Sequence, residues 1–214
     1  MNWIERLPEF KDKDPFSQNG EGRLLEHIFK KLRPDLKPSV CQCIDIGGGD
    51  GEYLSNTAHL RYLGWSQVIR DKENGHFVKR ENIIDSIYGL SRDLLSIDID
   101  GNDYWILEEI LQNWPPPENQ LSVIIAEFNP AFTDSRTIAY NPDHVWAGDD
   151  YYGFTFEAGV KLAEKHGYEV IFQIADMNMI MVRKDLIEGL TVPPVTYKQS
   201  DFFKMSDRTD WVMI

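Results

Sequence analysis

Six short apolar segments, most of them separated by helix-length stretches, constrain the fold of this chain more than any other feature of its sequence. The segments are rich in Ile and Val. Continuous apolar runs of this length are typical of parallel strands that are covered on both faces by helices. We therefore predict strands over residues 40–46, 66–70, 93–99, 121–128, 168–174 and 178–183, with a weaker candidate at 76–79.

The stretches between these segments have the apolar periodicity of amphipathic helices. We predict crossover helices over residues 51–63, 102–114 and 154–167, and a packing helix over 19–33 that stops before Pro34. The last two strands are separated only by the tripeptide Ala-Asp-Met, which is too short for a parallel crossover, so they are predicted to form an antiparallel hairpin at the sheet edge. The pattern predicts an α/β fold with a doubly wound, mostly parallel sheet.

The chain length of 214 residues predicts a single domain. Within residues 1–214 we expect an N-terminal helical segment (1–35), a core (40–186) and an irregular C-terminal tail (190–214). A long aperiodic stretch at 129–153 carries several tyrosines and a tryptophan, which argues against disorder and predicts a lid over a site.

Charge and composition exclude several classes of function. A net charge of −13 disfavours binding to a phosphate backbone, so no nucleic-acid partner is expected. No run reaches the length of about 18 apolar residues that a membrane helix needs, and the N-terminus lacks an apolar leader, which predicts a cytoplasmic protein without a membrane partner. The only cysteines, Cys41 and Cys43, share one face of a strand and are predicted to be buried thiols.

The first strand runs into a glycine-rich turn. Gly47, Gly49 and Gly51 allow a tight turn whose backbone amides approach a ligand, and a nucleotide-like ligand suits such a turn. The dinucleotide fingerprint G-x-G-x-x-G fails, because its last position holds Glu52 or Leu54. This failure disfavours an NAD-dependent oxidoreductase.

Two acidic residues accompany the turn. Asp45 begins the pattern D-x-G-x-G-x-G, and Asp71 follows the second predicted strand, where it is placed to accept hydrogen bonds from both ribose hydroxyls. S-Adenosylmethionine combines an adenosine with a cationic amino group and sulfonium, and it has no pyrophosphate that would need a basic clamp. An acidic crevice therefore suits S-adenosylmethionine as the cofactor.

Further polar side chains follow the later strands, and carboxyl ends of parallel strands meet at one crevice. Asp98, Asp100 and His144 are candidate general bases for a hydroxyl acceptor. Asp98 or Asp100, together with Glu127 and Asn129, offers oxygen ligands for Mg²⁺ or another divalent cation. The alternative interpretation is that these acids cap helices or pair with arginines such as Arg92 and Arg136.

Several ordered motifs resemble the class I S-adenosylmethionine-dependent methyltransferases, and within them the FkbM-like branch. They are GEGRLLEHIFKKL, CIDIGGGDG continuing to SNT at 55–57, LGW at 63–65, LLSIDIDGNDYWI at 94–106, VIIAEFNP at 123–130, YNPDHVWAGDDYYG at 140–153 and LAEKHGYEV at 162–170. The resemblance implies a Rossmann-like sheet of about seven strands with an antiparallel last strand. It also implies methyl transfer to a hydroxyl, often on a sugar or glycan.

The same resemblance carries cofactor-binding roles over to Asp45, Gly47, Gly49, Gly51 and Asp71. The sequence departs from the family pattern in residues 72–92, which are short for a full strand and helix. The acceptor is expected to be a small molecule or glycan. A non-catalytic module with this fold, acting as a sensor or scaffold, stays open as the alternative.

Overall fold

The structure is a computed structural model that describes residues 2–10, 12–90, 93–113, 121–201 and 204–214. The last residue of the predicted helix at 102–114 lies outside the described residues, as does Arg92, a candidate partner for the strand-end acids. The main sheet contains β1 (Gln42–Ile46), β2 (Ser66–Arg70), β3 (Leu94–Ile97), β4 (Val123–Glu127), β6 (Tyr168–Ile174) and β7 (Asn178–Arg183). A second sheet pairs β5 (Arg136–Ile138) with β8 (Trp211–Met213).

The main sheet is Rossmann-like and mostly parallel, with the strand order β2-β1-β3-β4-β7-β6. Strands β1 to β4 run parallel, whereas β7 is antiparallel to both β4 and β6. The predicted fold class and the terminal hairpin are therefore confirmed. The described residues form six strands of this sheet, not seven, because 76–79 is extended but pairs with no strand.

Helices cover both faces of the sheet. They are α1 (Glu21–Leu32), α2 (Ala58–Tyr62), α3 (Ile83–Ile87), α4 (Asp103–Asn113) and α5 (Phe156–Lys165), with short 3-10 segments at Ile4–Glu9, Pro38–Val40, Lys72–Asn74 and Lys184–Ile187. Apolar side chains of α1 and α2 pack on one face, and those of α3, α4 and α5 pack on the other. The segment between β2 and β3 thus forms α3 in place of a further strand and crossover.

The helix predicted at 51–63 is shorter in the structure. It begins only at Ala58, because the residues before it belong to the glycine turn and its supports. The hydroxyls of Ser55 and Thr57 both donate to Asp45, which holds residues 52–57 in an irregular path. The glycine turn is therefore not followed directly by a helix N-terminus.

Much of the stretch at 129–153, which was predicted to form a lid, is packed into the protein. It contains β5, and the side chains of Tyr151 and Tyr152 are each only 2% exposed. The Tyr151 ring contacts the Trp211 ring of β8 at 4.9 Å between centroids, so the C-terminal tail is not entirely irregular either. These aromatic side chains form core contacts instead of a mobile cover.

The two cysteines are buried and unbridged, as predicted. Burial raises the pKa of the Cys43 thiol to about 12, which makes this side chain an apolar core residue at physiological pH. Among the described residues, no helix combines the length and the apolar character that crossing a bilayer requires.

Candidate functional site

The glycine turn lies where the ends of β1, β2 and β3 meet. Gly47 has a φ of 89°, and a Cβ atom on it would lie 1.7 Å from the carbonyl oxygen of Asp98. Its amide donates to the carbonyl of Arg70 at 3.0 Å, and the Asp98 amide donates to the carbonyl of Ile46 at 2.9 Å. Only glycine fits this close approach of two backbones. The turn is therefore fixed against the strand that carries Asp98.

Asp71 faces the glycine turn from the end of β2. Its Oδ2 accepts from the Gly49 amide at 3.2 Å, and its Oδ1 accepts from the Glu73 amide at 2.7 Å. The Asn74 side chain accepts from the Asp71 amide, which completes a capping box at the start of a 3-10 turn. Since a carboxylate offers about four acceptor positions, half-buried Asp71 keeps acceptor capacity beyond its donors in the protein.

A cavity of 260 Å³ opens between these strand ends. Its lining includes Gly47, Gly49, Asp71, Asp98, Asp100 and His144, all of them predicted site residues. It also includes Arg70, Lys72, Glu73, His76, Phe77, Val78, Ile99, Gly101, Asn102, Pro142 and Val145, which the sequence analysis did not assign. Of these residues, Arg70 could have been assigned to the site from the sequence, because it directly precedes Asp71.

Asp45 supports the turn from below and does not line the cavity. It is 1% exposed, and its Oδ2 accepts from the hydroxyls of Ser55 and Thr57, each at 2.7 Å. Burial raises the pKa of this carboxyl, against the lowering effect of its hydroxyl partners. Gly51 is likewise absent from the lining, and a Cβ atom on it would lie 2.5 Å from the Cδ1 of Ile69. Both residues position the turn.

Three carboxylates cluster at one wall of the cavity. Asp98, Asp100 and Glu127 each place a carboxylate oxygen within 4.8 Å of the other two. Glu127 is 8% exposed, and its Oε2 has no hydrogen-bond partner in the described part of the chain. Burial, and then repulsion from neighbouring carboxylates, raises the pKa of both Asp98 and Glu127 well above the ordinary range.

The loop that presents Asp98 and Asp100 is held by a further acid, Asp103. The carboxylate of Asp103 accepts from the amides of Ile99 and Gly101, each at 2.8 Å. Burial raises the pKa of Asp103 to about 6. Asp100 itself has a φ of 54°, a conformation that aspartate tolerates better than most residues. The sequence analysis did not assign Asp103 to the site. Its place in the first turn of a predicted helix, where an acid is favoured, could have indicated a structural role.

His144 approaches the same loop from residues 142–145. Its ring lies over Gly101, where a Cβ would come within 2.6 Å of the His144 Cδ2. The ring forms a hydrogen bond with the backbone of Asp100, and burial, followed by the charge of Arg208, lowers the His144 pKa. Its Nε2 has no partner among the described residues. A neutral imidazole with an unoccupied nitrogen can accept a proton.

Asn129, which the sequence analysis proposed as a metal ligand, uses its side-chain amide in hydrogen bonds within the protein. The side chain is fully buried, and its Nδ2 donates to the carbonyls of Asp150 and Tyr152 at 2.8 and 3.0 Å. Its Oδ1 accepts from the Ala131 amide at 3.0 Å. The Asn129 amide therefore holds the following loop together. Arg136, a candidate partner for the acids, pairs instead with Asp134.

Comparison with known proteins adds a distant likeness to a solved structure. No protein-family model and no curated protein matches the chain. One solved structure, an O-methyltransferase family protein from Burkholderia thailandensis, is similar over 83% of this chain and 65% of its own chain, with 11% identity and a TM-score of 0.38. The chain thus spans less than two thirds of that protein. A likeness this weak supports no statement about activity.

The acidic cluster makes a testable prediction about stability. A carboxyl whose pKa is higher in the folded state contributes stability at low pH, and this stability is lost as the pH rises through the folded pKa. Glu127→Gln removes one charge and keeps the side-chain size, so we expect its free energy of unfolding at pH 8 to exceed that of the wild type by about 1–3 kcal/mol. The advantage should shrink towards pH 5. Urea unfolding at both pH values measures it.

Exposed Glu164 provides the matched control, since Glu164→Gln removes an equal charge from a helix surface far from the cluster. Its unfolding free energy should stay within about 0.5 kcal/mol of the wild type at both pH values. If Glu127→Gln and Glu164→Gln changed the free energy of unfolding equally at both pH values, the Asp98–Glu127 pair would carry no excess repulsion in the folded state.

Proposed function

We propose that this protein is an S-adenosylmethionine-dependent methyltransferase that methylates a hydroxyl group of a small molecule or glycan. The observation that carries the proposal is the hydrogen bond between the Gly49 amide and Asp71, which joins the glycine turn to the acid at the end of β2. Together they form one wall of the cavity, and Asp98 and Asp100 form another.

The position of the cavity in the sheet supports this proposal. From β1, the chain continues to β2 on one side, and β3 lies on the other side of β1. In open α/β sheets, ligands bind outside the carboxyl ends of the strands at such a reversal. The glycine turn, Asp71 and Asp98 all lie at this point, so the ligand crevice and the acidic side chains coincide.

The residues present fit S-adenosylmethionine better than a dinucleotide. Asp71 has free acceptor capacity for ribose hydroxyls, and Phe77 and Val78 supply apolar lining for an adenine ring. The acidic wall suits the ammonium and sulfonium charges of the ligand. A pyrophosphate would instead require a helix N-terminus at the turn, yet α2 starts only at Ala58. The chemistry of the lining thus favours a cationic nucleoside.

S-Adenosylmethionine, when bound, supplies an electrophilic methyl group, so this chain must orient the acceptor and remove its proton. His144 is the proposed base, because it lines the cavity, its pKa is lowered and its buried Nε2 has no hydrogen-bond partner among the described residues. Its hydrogen bond to the Asp100 backbone fixes the ring. Val145, which is 81% exposed, marks where this wall opens to solvent and an acceptor enters.

Calorimetric titration with S-adenosylhomocysteine tests the cofactor assignment. We expect the wild type to bind it and to give no heat with NAD. Asp71→Asn should weaken binding by about 10- to 100-fold, the effect of losing charge-assisted hydrogen bonds to two hydroxyls. Glu164→Gln is the matched control, because it removes an equal charge from the exposed surface of α5, and binding should change by less than about threefold.

Two results would contradict the assignment. Equal affinity of the wild type and Asp71→Asn for S-adenosylhomocysteine would show that Asp71 does not bind the ribose hydroxyls. Absence of heat with S-adenosylhomocysteine in a folded protein would favour a scaffold without this cofactor, and binding of NAD in its place would favour an oxidoreductase.

A further inference from the structure

His144 ends a four-residue turn, residues 141–144 (the histidine turn), that is attached to the loop carrying Asp98 and Asp100. The amides of Asp143 and His144 both donate to Asn141, the first to its side-chain Oδ1 at 3.0 Å and the second to its backbone carbonyl at 2.9 Å. An asparagine that bonds in this way to the backbone ahead of it gives a turn a defined local shape. The position of the imidazole in the cavity therefore depends on what holds Asn141.

Asn102 holds Asn141 through two hydrogen bonds of opposite direction. Its Nδ2 donates to the Asn141 carbonyl at 2.7 Å, and its Oδ1 accepts from the Asn141 amide at 3.2 Å. The Asn141 carbonyl is the same oxygen that accepts from the His144 amide, so one atom joins the side chain of Asn102 to the backbone of His144. Both ends of the Asn102 side-chain amide are thus used to attach the histidine turn.

Gly101 lies directly against the imidazole ring. Its backbone is held on both sides, because its amide donates to Asp103 Oδ2 at 2.8 Å and its carbonyl accepts from the Gly153 amide at 3.0 Å. A Cβ atom on Gly101 would lie 2.6 Å from Cδ2 of His144, and the three atoms nearest to it all belong to this side chain. Gly101 is not among the glycines with a positive φ, so the ring, and not the backbone conformation, excludes a side chain here.

The backbone of Asp100 completes the contacts of the ring with this loop. His144 forms a hydrogen bond with it, and because Nε2 has no partner in the described part of the chain, the nitrogen involved is Nδ1. The bond favours the protonated nitrogen, so Nδ1–H donates and the Asp100 carbonyl accepts. In the neutral ring the proton is then on Nδ1, which leaves the lone pair on Nε2. A base that acts through Nε2 requires this tautomer.

We propose that Gly101 and Asn102 are positioning residues for His144, with Gly101 leaving the space that the imidazole occupies and Asn102 fixing the turn that carries it. Each of the three consecutive residues from Asp100 to Asn102 thus has a separate part in holding one ring. The proposal rests on the proposed function, because it assigns these residues to His144 as the base. A displacement of about 1 Å in a reacting group is enough to slow a reaction on the order of 10²-fold.

The tautomer of His144 tests this arrangement without an acceptor or a cofactor. Long-range ¹H–¹⁵N correlation spectra of ¹⁵N-labelled protein, recorded at a pH where the imidazole is neutral, show which ring nitrogen carries the proton. The signals that disappear in His144→Gln identify the ring. The wild type should be protonated at Nδ1. Asn102→Ala and Gly101→Ala should each reduce this preference, because the first releases the histidine turn and the second displaces the ring.

Each variant has its own control. Asn113→Ala matches Asn102→Ala, because Asn113 is exposed at the other end of α4, where its side chain donates to Glu109, and it should leave the His144 signals as in the wild type. Gly101→Ala is compared with the same substitution in a His144→Ala background, where the ring that the added Cβ meets is absent. Gly101→Ala should lower the urea midpoint of unfolding in the wild type and change it much less in that background.

Kinetics with an acceptor found by screening hydroxyl compounds give a second measurement. Asn102→Ala should lower kcat by about 10- to 100-fold and leave KM for S-adenosylmethionine within about twofold of the wild type. A wild-type ring protonated at Nε2 would overturn the proposal, as would unchanged His144 signals in both variants when circular dichroism shows them folded. The expected spectra without methyl transfer would support the attachment of His144 and contradict the proposed function, so the two failures are distinguishable.

Discussion

Replacing Gly47 with alanine is expected to lower the free energy of unfolding by about 2–5 kcal/mol. The Cβ atom would lie 1.7 Å from the Asp98 carbonyl oxygen, and backbone cannot move aside as a flexible side chain can. The φ of 89° adds strain for any residue with a side chain. Separating the two backbones would also shift Asp98 at the cavity wall. Urea unfolding measures the loss, and it should be accompanied by weaker binding of S-adenosylhomocysteine.

Gly49 lies in the same turn and provides the control. Its φ is 55°, but the nearest atom to an added Cβ is Glu73 Oε2 at 3.9 Å, an ordinary contact. Gly49→Ala should therefore cost only the left-handed backbone conformation, about 1–2 kcal/mol. If the two variants lost equal stability, the close approach of Gly47 to Asp98 would not be the feature that fixes the turn.

Replacing His144 with glutamine is expected to slow methyl transfer by about 10²- to 10⁴-fold, the usual contribution of a general base. Binding of S-adenosylhomocysteine should change little, because the assigned role of His144 is towards the acceptor. Burial lowers the His144 pKa, so the wild-type rate should rise with pH and reach its plateau below the pH that an ordinary histidine would give. Initial rates with labelled S-adenosylmethionine, on an acceptor found by screening hydroxyl compounds, measure both effects.

His76 is the matched control, since it lines the same cavity but is exposed and lies on the side of Asp71. His76→Gln should keep both the rate and the pH profile within about threefold of the wild type. If His144→Gln kept the wild-type rate and the acid limb of the pH profile, another group, with Asp98 and Asp100 the remaining candidates, would have to remove the proton.

The parts of the site that follow strand direction were predictable from the sequence. Asp71 and Asp98 each come directly after an apolar run, and parallel strands bring such positions to one crevice. The structure places both of them in one cavity with Gly47 and Gly49. These inferences needed only local periodicity and the rule for parallel sheets.

The parts that depend on distant pairing were not predictable. Asn129 shares a strand end with Glu127, yet its amide is used by the backbone at Asp150 and Tyr152. Asn178 becomes the neighbour of Glu127 only because β7 inserts antiparallel between β4 and β6, which no local pattern specifies.

The aromatic stretch at 129–153 shows the same limit. Its tyrosines suggested a lid, because exposed aromatic side chains are typical of binding surfaces. In the structure Tyr151 and Tyr152 are buried, and the Tyr151 ring packs on Trp211 of β8 at the end of the chain. Asp45 was predicted to contact the cofactor. In the structure its carboxylate accepts hydrogen bonds from Ser55 and Thr57 and supports the glycine turn.

A crystal structure of the protein soaked with S-adenosylhomocysteine would test the central claim most directly. The account predicts ribose hydroxyls within hydrogen-bond distance of the Asp71 carboxylate, the sugar above Gly47 and Gly49, and the amino acid end of the ligand directed towards Asp98. Ligand bound away from the carboxyl ends of β1, β2 and β3, or an empty cavity at a saturating ligand concentration, would contradict it.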